Sequence, residues 1–236
     1  MGRIFQTRKA TIFARNDRVS KAFTKIGKEI AIAVKAGGGN PDTNSRLRTA
    51  MQNGKGVGMP KDKVEAAIKR ALNKDEKNLE EQVYEGYAPN GVALMIECAT
   101  DNPTRTISNL RVIMSKGGGT IGSQGSVAFT FDRMGVFKVD KTKVNLDEIE
   151  LDLIDFGAEE IDSDDEDIII YTPYTDFGKM QKGLESKNIE AKSSELQQIP
   201  NNYKEGLTEE QANQVLQLVA KLEDDEDVQQ VFHNLK

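Results

Sequence analysis

Tryptophan is absent from these 236 residues, and cysteine and histidine occur once each, as Cys98 and His233. One cysteine forms no intrachain disulfide, which fits a reducing compartment. Together these scarcities exclude His/Cys zinc clusters, zincin motifs and, away from His233, any Ser-His-Asp triad. Aromatic residues make up only 6% of the chain, so base-stacking platforms are not its main binding device. No apolar run approaches the roughly 18 residues that span a bilayer, and no apolar h-region follows the basic N-terminus. A cytoplasmic protein without a membrane partner is the expectation.

The remaining candidates for chemistry are equally spare. Lys116-Gly117-Gly118-Gly119-Thr120 has the letters of a P-loop in the wrong order, because the glycines close a helix instead of opening one. Asp164, Asp165, Glu166 and Asp167 lack the glycine and the bidentate glutamate of an EF-hand loop and read as a solvated turn. Cys98, inside VALMIECAT, reads as a core residue, and His233 as a strand-packing one. No nucleophile has a base at recognisable spacing. The expectation is a non-enzyme with no metal, cofactor or small-molecule substrate.

What the chain does have is charge, unevenly placed. Residues 1–75 hold 17 lysines and arginines against 6 acids, a net charge of +11, whereas the rest of the chain carries −17. Such asymmetry points to a polyanion partner for the basic part. The pattern there is a basic arm over residues 1–17, expected to be mobile and to order on a partner, then three helices. Over 19–36, Val19, Phe23, Ile26, Ile30, Ala33 and Val34 fall on one face, with Arg18, Lys21, Lys25, Lys28 and Lys35 opposite. Gly37-Gly38-Gly39-Asn40-Pro41 stops this helix. A second helix covers 43–53 (Leu47, Ala50 and Met51 inward) and is broken by Gly54, Gly56 and Gly58. Pro60 opens a third, with Val64, Ala67, Ile68 and Ala71 buried. The lysine face reads as an unpaired cationic stripe that neutralises phosphates. Arg3, Arg8, Lys9 and Arg15 of the arm, with Arg46, Arg48, Lys55, Lys61 and Lys63, extend it.

Beyond a charged linker the pattern turns to strands. Residues 82–88 and 92–100 flank Pro89-Asn90-Gly91, a hairpin signal; Asn102-Pro103 opens a helix with Ile107, Leu110 and Met114 inward; 126–132 reads as a strand. Residues 135–199 then follow the order β-α-β-β-α-β, the ferredoxin-like split βαβ arrangement. A helix over 208–222 and a strand over 227–234 close the chain. The expected fold is α+β and multidomain. An arm plus three-helix domain spans 1–75; a middle α+β domain spans 76–132 and 207–236; a ferredoxin-like domain over 133–206 is inserted into it.

The strings FTKIGKEIAIAVKAGGGNPDTNSRLRTAM, GVGMPKDKVEAAIKRA, YEGYAPNGVALMIECATDNPTRT, SKGGGTIGSQGSVAFTF and DVQQVFHNL resemble the YebC/PmpR family over nearly the whole chain. The resemblance implies three domains and a cytoplasmic, non-enzymatic nucleic-acid-binding protein, usually described as a transcriptional regulator. Some relatives, mitochondrial ones included, are tied instead to translation and relief of ribosome stalling. Many relatives begin AGHSKWANIKHRK, whereas this chain begins GRIFQTRKATIFAR. The Arg8-Lys9 pair is retained and the histidine and tryptophan are not, which leaves Phe5 and Phe13 for stacking. Two targets stay open, DNA and ribosomal RNA or the ribosome. No helix-turn-helix or cluster of base-reading side chains is visible, and the acidic remainder would repel a long duplex. The oligomeric state is open between monomer and weak dimer. A phosphate-counting surface predicts that log affinity falls steeply and linearly with log salt concentration, which a salt titration of binding checks.

Overall fold

A computed structural model of the chain describes residues 3–73 and 78–236, with side chains from Val19 onward. Three helices come first: α1 (Arg3–Gly37), α2 (Ser45–Gly56) and α3 (Lys61–Leu72). The stretch expected to be an arm is thus the N-terminal half of α1. No glycine or proline interrupts the sequence from Arg3 to Ile26, and its arginines, lysines and alanines favour propagation. Gly38, at φ +82°, ends the helix as expected. The buried Asn44 fixes the next turn, donating to Ala33 O at 2.7 Å and Gly38 O at 2.8 Å while accepting from Leu47 N at 3.0 Å as the α2 cap. Ile26, Ile30, Ala33, Val34, Leu47, Ala50, Val64 and Ala71 form the core between the helices.

The chain continues as β1 (Glu80–Ala88), β2 (Val92–Thr100), α4 (Pro103–Lys116), β3 (Thr120–Ile121), β4 (Phe131–Asp140), α5 (Leu146–Asp155), β5 (Glu160–Ser163), β6 (Asp167–Pro173), α6 (Phe177–Ser186), β7 (Ala191–Pro200), α7 (Glu209–Glu223) and β8 (Val228–His233). The fold is α+β, with two antiparallel sheets ordered β3-β1-β2-β8 and β5-β6-β4-β7. Asn90 (φ 64°) and Gly91 (φ 73°) turn the β1–β2 hairpin in the left-handed region. Helices α4 and α7 cover one face of the first sheet, burying Leu94, Ile96, Leu110, Met114, Leu218 and Leu222 with Cys98. Burial pushes the Cys98 thiol up to about 12, as suits a packing residue. The second sheet carries α5 and α6 over Phe137, Ile168, Ile170, Leu153 and Met180. Its order is that of a split βαβ unit.

Residues 126–130, expected as strand, are loop and a single 3-10 turn. The reason is Glu85: its buried carboxylate accepts from the backbone N–H of Gly125 (2.6 Å), Val127 (2.7 Å) and Ala128 (3.0 Å), donors that a strand would have given to a neighbour. Burial opposes ionisation there, but these backbone donors win and hold the carboxyl below its usual range. The following residues, read as two strands, run on as the single strand β4.

Gly54 and Gly56 do not break α2 but lie in its last turn. Both positions are crowded. A Cβ on Gly56 would sit 1.8 Å from Lys192 O, and one on Gly54 would meet Ile26 at 3.2 Å. The crowding arises because α2 seats on β7, an edge strand of the second sheet. The buried Asn53 amide pairs with that edge as another strand would. Its Nδ2 donates to Ser194 O at 3.0 Å, and its Oδ1 accepts from Ser194 N at 2.8 Å. Gln52 donates to Ala191 O at 3.2 Å, and Gln181 to Thr49 Oγ1 at 2.9 Å. An open edge is a liability, and here the N-terminal helices cover it. Asn53→Ala leaves two buried backbone groups of Ser194 without that partner. It is expected to destabilise the chain by about 2–3 kcal/mol, read from the urea midpoint, with Asn53→Asp, whose second carboxylate oxygen would face Ser194 O, costing at least as much.

Candidate nucleic-acid interface

The cationic face of α1 turns toward the rest of the chain. Lys28 enters a partly buried pocket at the end of β2, where its Nζ donates to Ala99 O (2.8 Å) and Glu226 O (2.6 Å) and lies 3.4 Å from Asp227 Oδ1. Asp227 is the hub. Its Oδ2 accepts from Arg105 (2.8 Å), Thr106 Oγ1 (2.8 Å) and Thr100 Oγ1 (3.2 Å). Burial disfavours its charge, but bonds from Arg105 and Thr106, with Lys28 nearby, hold the carboxyl below its usual range. One turn up α1, Lys25 is partly buried. Desolvation lowers its ammonium, Glu223 opposes that, and Lys21 adds to it. A further turn up, Lys21 makes an exposed ion pair with Asp224.

The stripe is therefore not unpaired, as the amphipathic pattern suggested, and the same holds for most other described cations. Lys35 donates to Asn73 O at 3.2 Å. Arg46 pairs with Glu81 and Lys55 with Glu190, while Arg48 lies 3.7 Å from Glu185. The acids in these pairs belong to the sheets and their connections. Two candidates look outward from α3: Lys61, 3.7 Å from Glu65, and Lys63, whose ammonium stands 5.2 Å from the Phe23 ring centroid. Lys69 and Arg70, also on α3 and exposed, were not singled out from the sequence. Arg3, Arg8, Lys9, Arg15 and Arg18 fall on the N-terminal half of α1, outside the described side chains.

The docking residues Asn53, Gln52 and Asp227 were also missed. A buried asparagine inside a helix leaves no periodic trace, and Asp227 is the last of a run of five acids, indistinguishable by pattern from its exposed neighbours. Glu29 is the exception on α1. Burial pushes its carboxyl up to about 7; Glu195 adds to the rise, and Arg46 opposes it. Glu195 itself accepts from Gln230 at 3.2 Å, so α1, β7 and β8 meet here.

The N-terminal helices over residues 3–74 match the TACO1/YebC N-terminal domain, and residues 79–235 match the TACO1/YebC second and third domain. The chain belongs to the TACO1/YebC family. Proteins called "Probable transcriptional regulatory protein" from Cytophaga hutchinsonii and Anaeromyxobacter dehalogenans are 53% and 52% identical to it. The alignments cover all of this chain and 98% and 100% of theirs. The crystal structure of a conserved hypothetical protein from Aquifex aeolicus superposes with a TM-score of 0.82 at 36% identity, over 92% of this chain and 90% of that one. The TACO1/YebC chain described here has no helix among its described residues long and apolar enough to cross a membrane.

Glu29 gives this chain's stability a pH dependence. A carboxyl whose folded value rises from 4.5 to about 7 binds its proton more tightly when folded. Its contribution to stability is complete below 4.5 and is lost as pH rises through about 7. Glu29→Gln is expected to flatten the stability profile across that window. At about pH 8 it should stabilise the chain by on the order of 2 kcal/mol, measured by urea unfolding at several pH values.

Proposed function

We propose that this chain is a non-enzymatic, cytoplasmic, DNA-binding transcriptional regulator that engages nucleic acid through its basic N-terminal helices. The observation that carries the proposal is the segregation of charge: +11 on residues 1–75 against −17 on the remainder. The names of the relatives at 53% and 52% identity agree with it. The outward cations of α3 (Lys61, Lys63, Lys69 and Arg70) form an accessible part of the surface. Against them α3 exposes only Asp62 and Glu65. Contacts of these lysines and arginines with phosphate oxygens set position on the backbone and carry no sequence information.

Lys61→Glu/Lys63→Glu is expected to weaken binding to a duplex of about 20 base pairs by roughly tenfold or more at about 0.1 M salt, and to reduce the salt slope by about 2. Affinity unchanged within about twofold would overturn the placement of the surface. Crosslinking in cells, with bound DNA and RNA sequenced in parallel, decides the target: recovery of ribosomal RNA without promoter DNA replaces the transcriptional reading with a translational one.

A further inference from the structure

The lysine face of α1 already holds an anion, and that anion is part of the same chain. Glu223, Asp224, Asp225, Glu226 and Asp227 follow one another at the end of α7 and lie along α1. Their position is electrostatically poor for α7, because the C-terminus of a helix carries partial negative charge and favours cations. The lysines of α1 supply those cations from another part of the fold. The five acids differ in role, and the half-buried Asp225 shapes the turn by accepting from Asp227 N at 2.9 Å. Asp227 is buried and fixed by Arg105, Thr106 and Thr100, so its turn stays formed without α1. Glu223, Asp224 and Glu226 are exposed, and Asp224 reaches Lys21 through an ion pair open to solvent on both sides. Exposed pairs of this kind are weak and screened by salt.

We propose that the acidic turn 223–227 is a built-in competitor for nucleic acid: its exposed carboxylates cover Lys21 and Lys25, and a polyanion must displace them to reach these two lysines. The proposal rests on the nucleic-acid reading above and adds a regulated part to that surface. The α3 cations are open at all times, whereas the α1 face opens only when phosphates replace the turn. The N-terminal helices remain anchored during the exchange by the Asn53–Ser194 pairing on β7, which involves none of these lysines.

The test uses the full chain with Asp224→Asn/Asp225→Asn/Glu226→Gln, leaving Asp227 in place. A control variant, Glu150→Gln/Asp155→Asn/Asp165→Asn, removes the same charge from exposed positions of the inserted unit. Binding is read by fluorescence anisotropy with a labelled DNA duplex and a labelled single-stranded RNA, each of about 20 units, at about 0.1 M salt. The turn variant is expected to bind roughly tenfold tighter than the control variant, with a steeper salt slope because more phosphates are neutralised. Equal affinities in the two variants would overturn the competition while leaving the nucleic-acid reading standing. No binding by any of the proteins would overturn both. A second measurement does not depend on the turn variant folding. Dyes placed through Ser20→Cys and Lys221→Cys, with Cys98 buried and unlabelled, report the distance between α1 and α7. Saturating duplex is expected to lengthen that distance, and an unchanged distance with bound duplex would overturn the displacement.

Discussion

The carboxylate of Asp227 is the point on which the seating of the N-terminal helices against the first sheet and its helix α4 depends. It receives the side chains of Thr100 at the end of β2, of Arg105 and Thr106 in the first turns of α4, and the ammonium of Lys28 on α1. A charge removed from water is tolerated only when paired and hydrogen-bonded, and removal of one partner of such a set is far more damaging than loss of an exposed pair. Because the donors to Asp227 come from α1 and from the β2–α4 junction, satisfying it fixes several things together. These are the start of β8, the seat of α4 on the first sheet, and the position of the N-terminal helices. The same network explains why a chain of opposite-signed parts holds together as one molecule with a net charge of −6.

The two docks of the N-terminal helices differ in kind. At β7 the contact is buried and made of amide hydrogen bonds to backbone, with Gly56 close enough to Lys192 O that no side chain fits between them. Such contacts are insensitive to salt. Along the turn 223–227 the outer contact is an ion pair in water, and only Lys28 goes deep. Salt and competing ions weaken the outer part of the second dock and leave the first alone. The N-terminal helices are thus held by buried amide contacts at α2 and, along the outer part of α1, by a salt-sensitive ion pair. Glu29, at the junction with Glu195, adds a group that discharges when docked and so couples this side to pH.

Much of the fold was legible because apolar periodicity reports which face a helix or strand buries. The core residues of α1, α2 and α3, the turn at Pro89-Asn90-Gly91 and the β-α-β-β-α-β order all follow from that signal. What failed did so for identifiable reasons. Residues 3–17 lack an apolar stripe, so a helix there leaves no periodic trace in the sequence and only propensity hints at it. Residues 126–130 have strand composition, but Glu85, some 40 positions earlier, takes their donors. Gly54 and Gly56 look like breakers because glycine serves both flexible turns and close approach, and only the neighbouring strand tells which. The lysine face was the clearest feature of the sequence, and its pairing was invisible. A helical projection shows which charges share a face, whereas the acids that meet Lys21 and Lys28 lie about 200 positions away.

That pairing changes what a basic surface means in this protein. A lysine already facing carboxylates gains little from exchanging one anion for another if only contact energies are compared. The exchange is driven by the solvent. Duplex DNA carries a charge about every 1.7 Å along its axis and condenses counterions around it, and each phosphate neutralised by a lysine returns one to bulk solution. A turn of five carboxylates among free side chains has no comparable condensed atmosphere to release. The internal pairing therefore defines the reference state from which binding is measured. It lowers affinity for isolated or sparse anions, which lack condensed counterions, far more than for a dense polyanion. Under the proposed competition the acidic turn would discriminate by linear charge density, favouring a dense polyanion over sparse anions.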